Sequence, residues 1–78
     1  MNAIARYLND TGMSQTDFAK LAGISPGMVW QYIKDLRPVS EKVCVRIELL
    51  TKGSLTRQAM RPNDWSDIWP ELQESSHA

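Results

Sequence analysis

Cysteine and histidine are almost missing from this chain of 78 residues, which has one of each, Cys44 and His77. A lone cysteine closes no disulfide within the chain. With a single histidine there is no zinc-type ligand cluster either. No apolar run is long enough to cross a bilayer. The opening residues, Met-Asn-Ala-Ile-Ala-Arg, lack the basic start and apolar stretch of a secretory signal. A soluble intracellular protein is therefore the expectation. There is no glycine-rich phosphate loop, and His77 has no nucleophile to pair with. The sequence predicts neither an enzyme nor a cofactor nor a small-molecule substrate.

Net charge is also lacking, but its zero conceals an uneven distribution. All nine Lys and Arg lie in residues 1–61 with five acids, a balance of +4. Residues 62–78 hold Asp64, Asp67, Glu71 and Glu74 and no Lys or Arg, a balance of −4. The chain reads as a mildly basic body with an acidic tail. An excess of this size permits phosphate contacts without specifying them. Hydrophobic residues are 42% and charged residues 23%, so the chain is composed to fold. Its length suits one domain near the lower limit for a self-sufficient core, where a partner subunit would add buried surface.

Nothing in the sequence alternates like a strand, and start and stop signals divide it into short helices. Ile4, Tyr7 and Leu8 share one face of a helix over about 3–9, with Gly12 as terminator. Ser14 opens a second helix, with Asp17 three residues on in capping-box spacing. Met13 and Phe18 occupy staple positions, and Phe18, Leu21 and Ala22 form its inner stripe. Gly23 ends it. Ser25 caps a third helix whose first residue is Pro26, where a missing N–H has no cost. Pro38 keeps that helix from running into a fourth, which begins after Ser40. The fourth has Val39 and Cys44 as staple, Val43, Ile47 and Leu50 as buried stripe, and Gly53 as C-cap. A short fifth follows Thr56, with Leu55 and Met60 stapled. Asp64 to Ile68 would add one more turn, and the last six residues are expected to fray. Cys44 reads as a buried apolar residue and His77 as a surface residue of the tail. The fold class is a compact all-α domain of four to five helices.

Helices two and three are joined by only Gly23-Ile24-Ser25. Two short helices joined by a tight glycine-containing turn are the physical description of a helix-turn-helix. Ala19 permits close approach, Gly23 takes the left-handed turn, and Ile24 plugs the angle. Val29 and Tyr32 face back onto Phe18 and Ala22.

The run QTDFAKLAGISPGMVWQYIK, from Gln15 to Lys34, resembles the Cro/C1-type helix-turn-helix of phage repressors. Phe18, Ala19, Gly23, Ile24, Val29 and Tyr32 match that family's structural positions. The stretch LRPVSEKVCVRIELLTKGSLTRQAMRP is similar to Cro-like, YdaS-type proteins of prophages, and the likeness covers about residues 3–65. It carries Arg37-Pro38, then Gly53-Ser54-Leu55-Thr56-Arg57, then Arg61-Pro62. The resemblance implies a lambda-repressor-like domain over 1–62 and a transcription regulator of the bacterial host cytoplasm. It also implies a homodimer on double-stranded operator DNA. Helix three would lie in the major groove. Pro26, Gly27, Met28, Trp30 and Gln31 would meet base edges. Gln31 would pair with adenine, and Met28 or Trp30 would touch thymine methyls. Gln15, Thr16, Ser25, Lys34, Arg37 and Lys42 would hold phosphates. Few polar readers remain on this helix, which shifts weight onto DNA shape.

Two alternatives stay open at the level of sequence. Trp30 serves the core, DNA or a protein partner. Trp65, Ile68, Trp69 and Leu72, spaced i, i+3, i+4, i+7 in the acidic tail over 63–78, either cover the chain's own core or form a dimer interface. Pro70 argues against one continuous helix through them. The rival to a DNA-binding regulator is a protein-interaction module, such as an antitoxin or a phage-encoded inhibitor, built on the same fold.

Overall fold

Five short polar side chains decide where the first five helices begin. In the computed structural model, which describes residues 2–75, Asn2, Ser14, Ser25, Ser40 and Thr56 each take extended backbone. Each accepts a hydrogen bond from the N–H three residues on: Ala5, Asp17, Met28, Val43 and Ala59, at 2.9–3.4 Å. Each bond satisfies an N–H that the first helical turn leaves unpaired. The helices are α1 (Ala3–Thr11), α2 (Gln15–Ala22), α3 (Pro26–Ile33), α4 (Glu41–Leu50), α5 (Arg57–Met60), α6 (Trp65–Ile68) and α7 (Pro70–Ser75). The described residues form no strand. The fold is all-α, as the periodicity predicts. Its four longer helices and α5 are those anticipated. Pro70 opens α7, the position at which proline favours a helix, and of the last six residues, expected to fray, 73–75 are helical while 76–78 lie outside the described residues. His77 lies outside the described residues.

Helix α2 packs on α3 and α4, while α1 packs on α3 and α5. Phe18, Ile4, Ile47, Val29 and Cys44 are completely buried at the centre. Tyr7 adds a tilted ring contact to Phe18, with centroids 6.0 Å apart. Two expectations for α4 need correction. Leu50 is 46% exposed and its neighbour Leu49 73%, so neither belongs to the core. The buried stripe is centred on Cys44 and Ile47 and ends on Thr51, which leaves Leu50 beyond its edge. Gly53 is not the C-cap, because Thr51 is. The Thr51 hydroxyl donates back to Ile47 O at 2.8 Å and accepts from Leu55 N–H at 3.2 Å. The chain then reverses through two left-handed residues, Lys52 and Gly53.

Arg61 joins the body to the acidic tail. Its Nη1 donates to Val39 O at 2.5 Å, while Nε and Nη2 grip Asp64 in a fork at 3.0 and 2.6 Å. This bond holds the Asp64 carboxyl below its ordinary range and the guanidinium above its own. Asp64 stands at the N-cap of α6 without a capping bond of its side chain. Arg57 lies beneath Trp69, 5.3 Å from the ring centroid. Its N–H donates to Glu48 Oε1 at 2.9 Å. Its Nε sits 3.0 Å from Glu48 Oε2, an ion pair by distance rather than a directed hydrogen bond.

Burial raises the Cys44 thiol from 9.0 to about 11. A raised folded value means that the unfolded thiol ionises first. Stability is then intact below pH 9.0 and is lost as pH climbs towards about 11. The expected loss is about 2 kcal/mol across that window. Urea unfolding of the wild type and Cys44→Ala measures it. The variant is less stable at neutral pH but lacks this part of the alkaline slope. Parallel pH profiles for the two proteins would contradict it.

Candidate nucleic-acid interface

The helix-turn-helix rests on small buried side chains. Ala19 and Ala22 of α2 are buried against Val29 and Tyr32 of α3, with Phe18 behind them. Residues of this size let α2 and α3 approach closely. Gly23 leaves α2 at φ +71°, and the turn is closed by Ile24 N–H donating to Ala19 O at 3.0 Å. Ile24, half-buried, packs on the core. Ser25 Oγ accepts from Met28 N–H at 3.1 Å and Pro26 follows at the first helical position.

This frame leaves one face of α3 open. Pro26, Gly27, Trp30 and Lys34 are exposed, Trp30 by 47%. Trp30 is therefore not a core residue. Gln31 is half-buried, and Met28 packs partly against the core. Gln15 and Thr16 are exposed at the start of α2. Their own N–H groups are among those a helix leaves without internal acceptors. The acceptor side of Ser25 is occupied by Met28 N–H, which leaves its hydroxyl hydrogen as the group able to donate outward. Lys34 is the C-cap of α3, Arg37 follows in the loop, and Lys42 stands in the first turn of α4. All three are exposed.

Not every cation of the basic body is available. Arg57 and Arg61 are committed to Glu48 and Asp64. Arg46 of α4 donates to Ala22 O at 2.8 Å. Arg6, Lys20, Lys34, Arg37, Lys42 and Lys52 are the exposed remainder. In the tail, Trp65, Ile68, Trp69 and Leu72 are all half-buried. Among them Trp69 packs against the core. No cluster of three or more His, Cys, Asp or Glu that would hold a metal occurs among the described residues. No helix among them is long and apolar enough to cross a membrane.

Two residues that brace the motif escape the sequence reading. Arg46 seals the carbonyl end of α2. Asn2 caps α1 through Oδ1 and donates through Nδ2 to Tyr32 O at 2.7 Å and Ile33 O at 3.1 Å, on the last turn of α3. Asn before Ala-Ile is legible as an N-cap, but its reach across the fold is not. Nothing local to Arg46 marks its partner, 24 residues away in sequence.

The fold is that of a small helix-turn-helix domain. The chain belongs to the bacterial toxin YdaS family, whose model matches residues 4–68. It is 40% identical over 53 residues to a protein of Escherichia coli (strain K12) named "Putative transcriptional regulator YdaS". That match covers 67% of this chain and 54% of the relative, so the chain spans about half the length of the curated relative it matches. No solved structure matches it.

A β-carbon on Gly23 would lie 2.9 Å from Arg46 Nη1, at a φ that L-residues avoid. Gly23→Ala is expected to cost about 2–3 kcal/mol, from the left-handed strain and the displaced Arg46 bond. Arg46→Ala alone is expected to cost about 1 kcal/mol. The double change should lose less than the sum, because the first already dislodges Arg46. Urea unfolding of the four proteins measures the coupling, and strict additivity would contradict this geometry.

Proposed function

We propose that this chain is the DNA-binding domain of a Cro-like transcription regulator that acts in the bacterial cytoplasm. The observation that carries the reading is the two-sided nature of α3. Val29 and Tyr32 are buried, whereas Pro26, Gly27, Trp30 and Lys34 are exposed on a helix held by a helix-turn-helix frame. Family membership and the regulator name of the relative support it.

In this reading α3 enters the major groove of double-stranded operator DNA. Gln31 pairs with an adenine edge, and Trp30 and Met28 meet thymine methyls. Pro26 and Gly27 let the backbone approach the groove floor. Lys34, Arg37 and Lys42 hold phosphates beyond the end of α3, while Gln15, Thr16 and Ser25 hold them near the two helix starts. Two copies bind as a homodimer through Trp65, Ile68, Trp69 and Leu72, with reading helices about 34 Å apart. Trp69 has its own Arg57 beneath it, so a second copy would cover the outer part of this cluster. The protein acts as a repressor by occupying promoter DNA. It works by binding and not by catalysis.

A second reading is favoured by Trp30. A tryptophan exposed by 47% beside Pro26 and Gly27 suits a protein partner as well as a base edge. The word toxin in the family description fits such a protein-directed role. Capture of one stoichiometric protein, with DNA binding absent at low salt, would favour it.

The test is titration of operator-containing duplex DNA at several salt concentrations. Affinity is expected to fall as salt rises, because phosphate contacts release counterions. Lys34→Ala should weaken all sequences alike and lower the salt slope by about one. Gln31→Ala should cost about 1–3 kcal/mol at one base pair and relax the choice there. Salt-independent binding, or an unchanged site preference in Gln31→Ala, would contradict these roles.

A further inference from the structure

Asn2 stands outside the helix-turn-helix, yet its side chain reaches the end of the reading helix. Its Oδ1 accepts from Ala5 N–H at 2.9 Å, and its Nδ2 faces three acceptors: Tyr32 O, Ile33 O and Asp35 Oδ1, at 2.7, 3.1 and 3.1 Å. A donor on one side and three acceptors on the other fix which way the amide points. Tyr32 O and Ile33 O are among the last four carbonyls of α3, which have no acceptor role inside a regular helix.

The chain just beyond them is under strain. Asp35 sits at φ +57°, where a side chain is disfavoured. The turn is closed by Leu36 N–H donating to Gln31 O at 2.9 Å and Asp35 N–H to Tyr32 O at 3.2 Å. The Asp35 carboxylate gains an N–H from Asn2 in this conformation. One side chain therefore starts α1, finishes α3 and holds the left-handed residue after it.

We infer that Asn2 is a positioning residue for DNA reading, a brace that sets the pose of α3 from outside the motif. The inference rests on the reading of α3 as the DNA-reading helix. The start of α3 is set by the Gly23 turn and the Ser25 cap. Its far end is closed by the Asp35 and Leu36 N–H groups and braced by Asn2. Base-edge hydrogen bonds require a helix fixed at both ends, since they are short and directional. Phosphate contacts from Lys34, Arg37 and Lys42 tolerate a loose helix, because long side chains follow the backbone of the duplex. Removal of the brace thus lowers affinity for the preferred sequence and leaves affinity for other sequences in place.

The test separates the two ends of the amide. Asn2→Asp keeps the capping oxygen, and Asp caps as well as Asn. It has no N–H to offer Tyr32, Ile33 or Asp35. Asn2→Ser also keeps a capping oxygen and adds no charge. Amide hydrogen exchange on the free protein reads the brace directly. In both variants Lys34, Asp35 and Leu36 are expected to exchange about tenfold faster, with the α1 amides unchanged. Affinity for the duplex preferred by the wild type should fall about tenfold, whereas a scrambled duplex should change by less than about twofold. The salt slope should not move in Asn2→Ser. Equal losses on the two duplexes would overturn the proposal, as would exchange that quickens equally in α1 and α3 or in neither. A wild type without sequence preference would overturn the reading of α3 itself. That failure is told apart because the exchange comparison contains no DNA.

Discussion

The carbonyl ends of α2 and α3 are the points on which the placement of α3 depends. A helix finishes with carbonyls that need donors, and in α2 and α3 the following turns supply some of them while side chains from other parts of the chain supply the rest. Ala22 O is taken by Arg46 of α4, beside the left-handed Gly23. Tyr32 O and Ile33 O are taken by Asn2 at the head of α1. The apolar core brings α2 and α3 together, but burial is non-directional and leaves their relative pose soft. The polar ties are directional. They also tie α4 to α2 and α1 to α3, so that the outer face of α3 is presented by the whole domain.

The motif itself was legible because its requirements are local. Ser before Pro, Gly after Ala, and apolar residues at helical spacing each state their role within a few positions. Ser14, Ser25, Ser40 and Thr56 cap the helices that they were expected to cap. The misjudged positions have tertiary causes. Leu50 matches the period of α4, but the stripe is set by which side α2 covers, and that centres it on Cys44 and Ile47. Thr51 ends α4 through its own hydroxyl, two residues before the glycine that looked like the terminator. Asp35 and Lys52 take left-handed backbone where a sequence pattern would seek glycine. Asn2 and Arg46 act across the fold, and no spacing rule reaches them.

Charge was legible only in part. The excess of the body over its acids suggested phosphate contacts, but Arg46, Arg57 and Arg61 have internal partners. The surface available to an anion is therefore built from Arg6, Lys20, Lys34, Arg37, Lys42 and Lys52. Arg57 and Arg61 instead fasten the acidic tail to the body, through Trp69 and Asp64. Trp69 thus has a structural attachment in the single chain, and Trp65, Ile68 and Leu72 are half-buried. Membership in the bacterial toxin YdaS family agrees with the resemblance carried by the helix-turn-helix and by the stretch from Leu36 to Pro62.

Selection of bound sequences from random duplex DNA tests the central claim most directly, that α3 is posed to read bases. The account predicts enrichment of a short motif, rich in the A·T steps that Gln31, Trp30 and Met28 would contact, repeated at about one helical turn by a dimer. A pool that stays random after repeated rounds at low salt would contradict it.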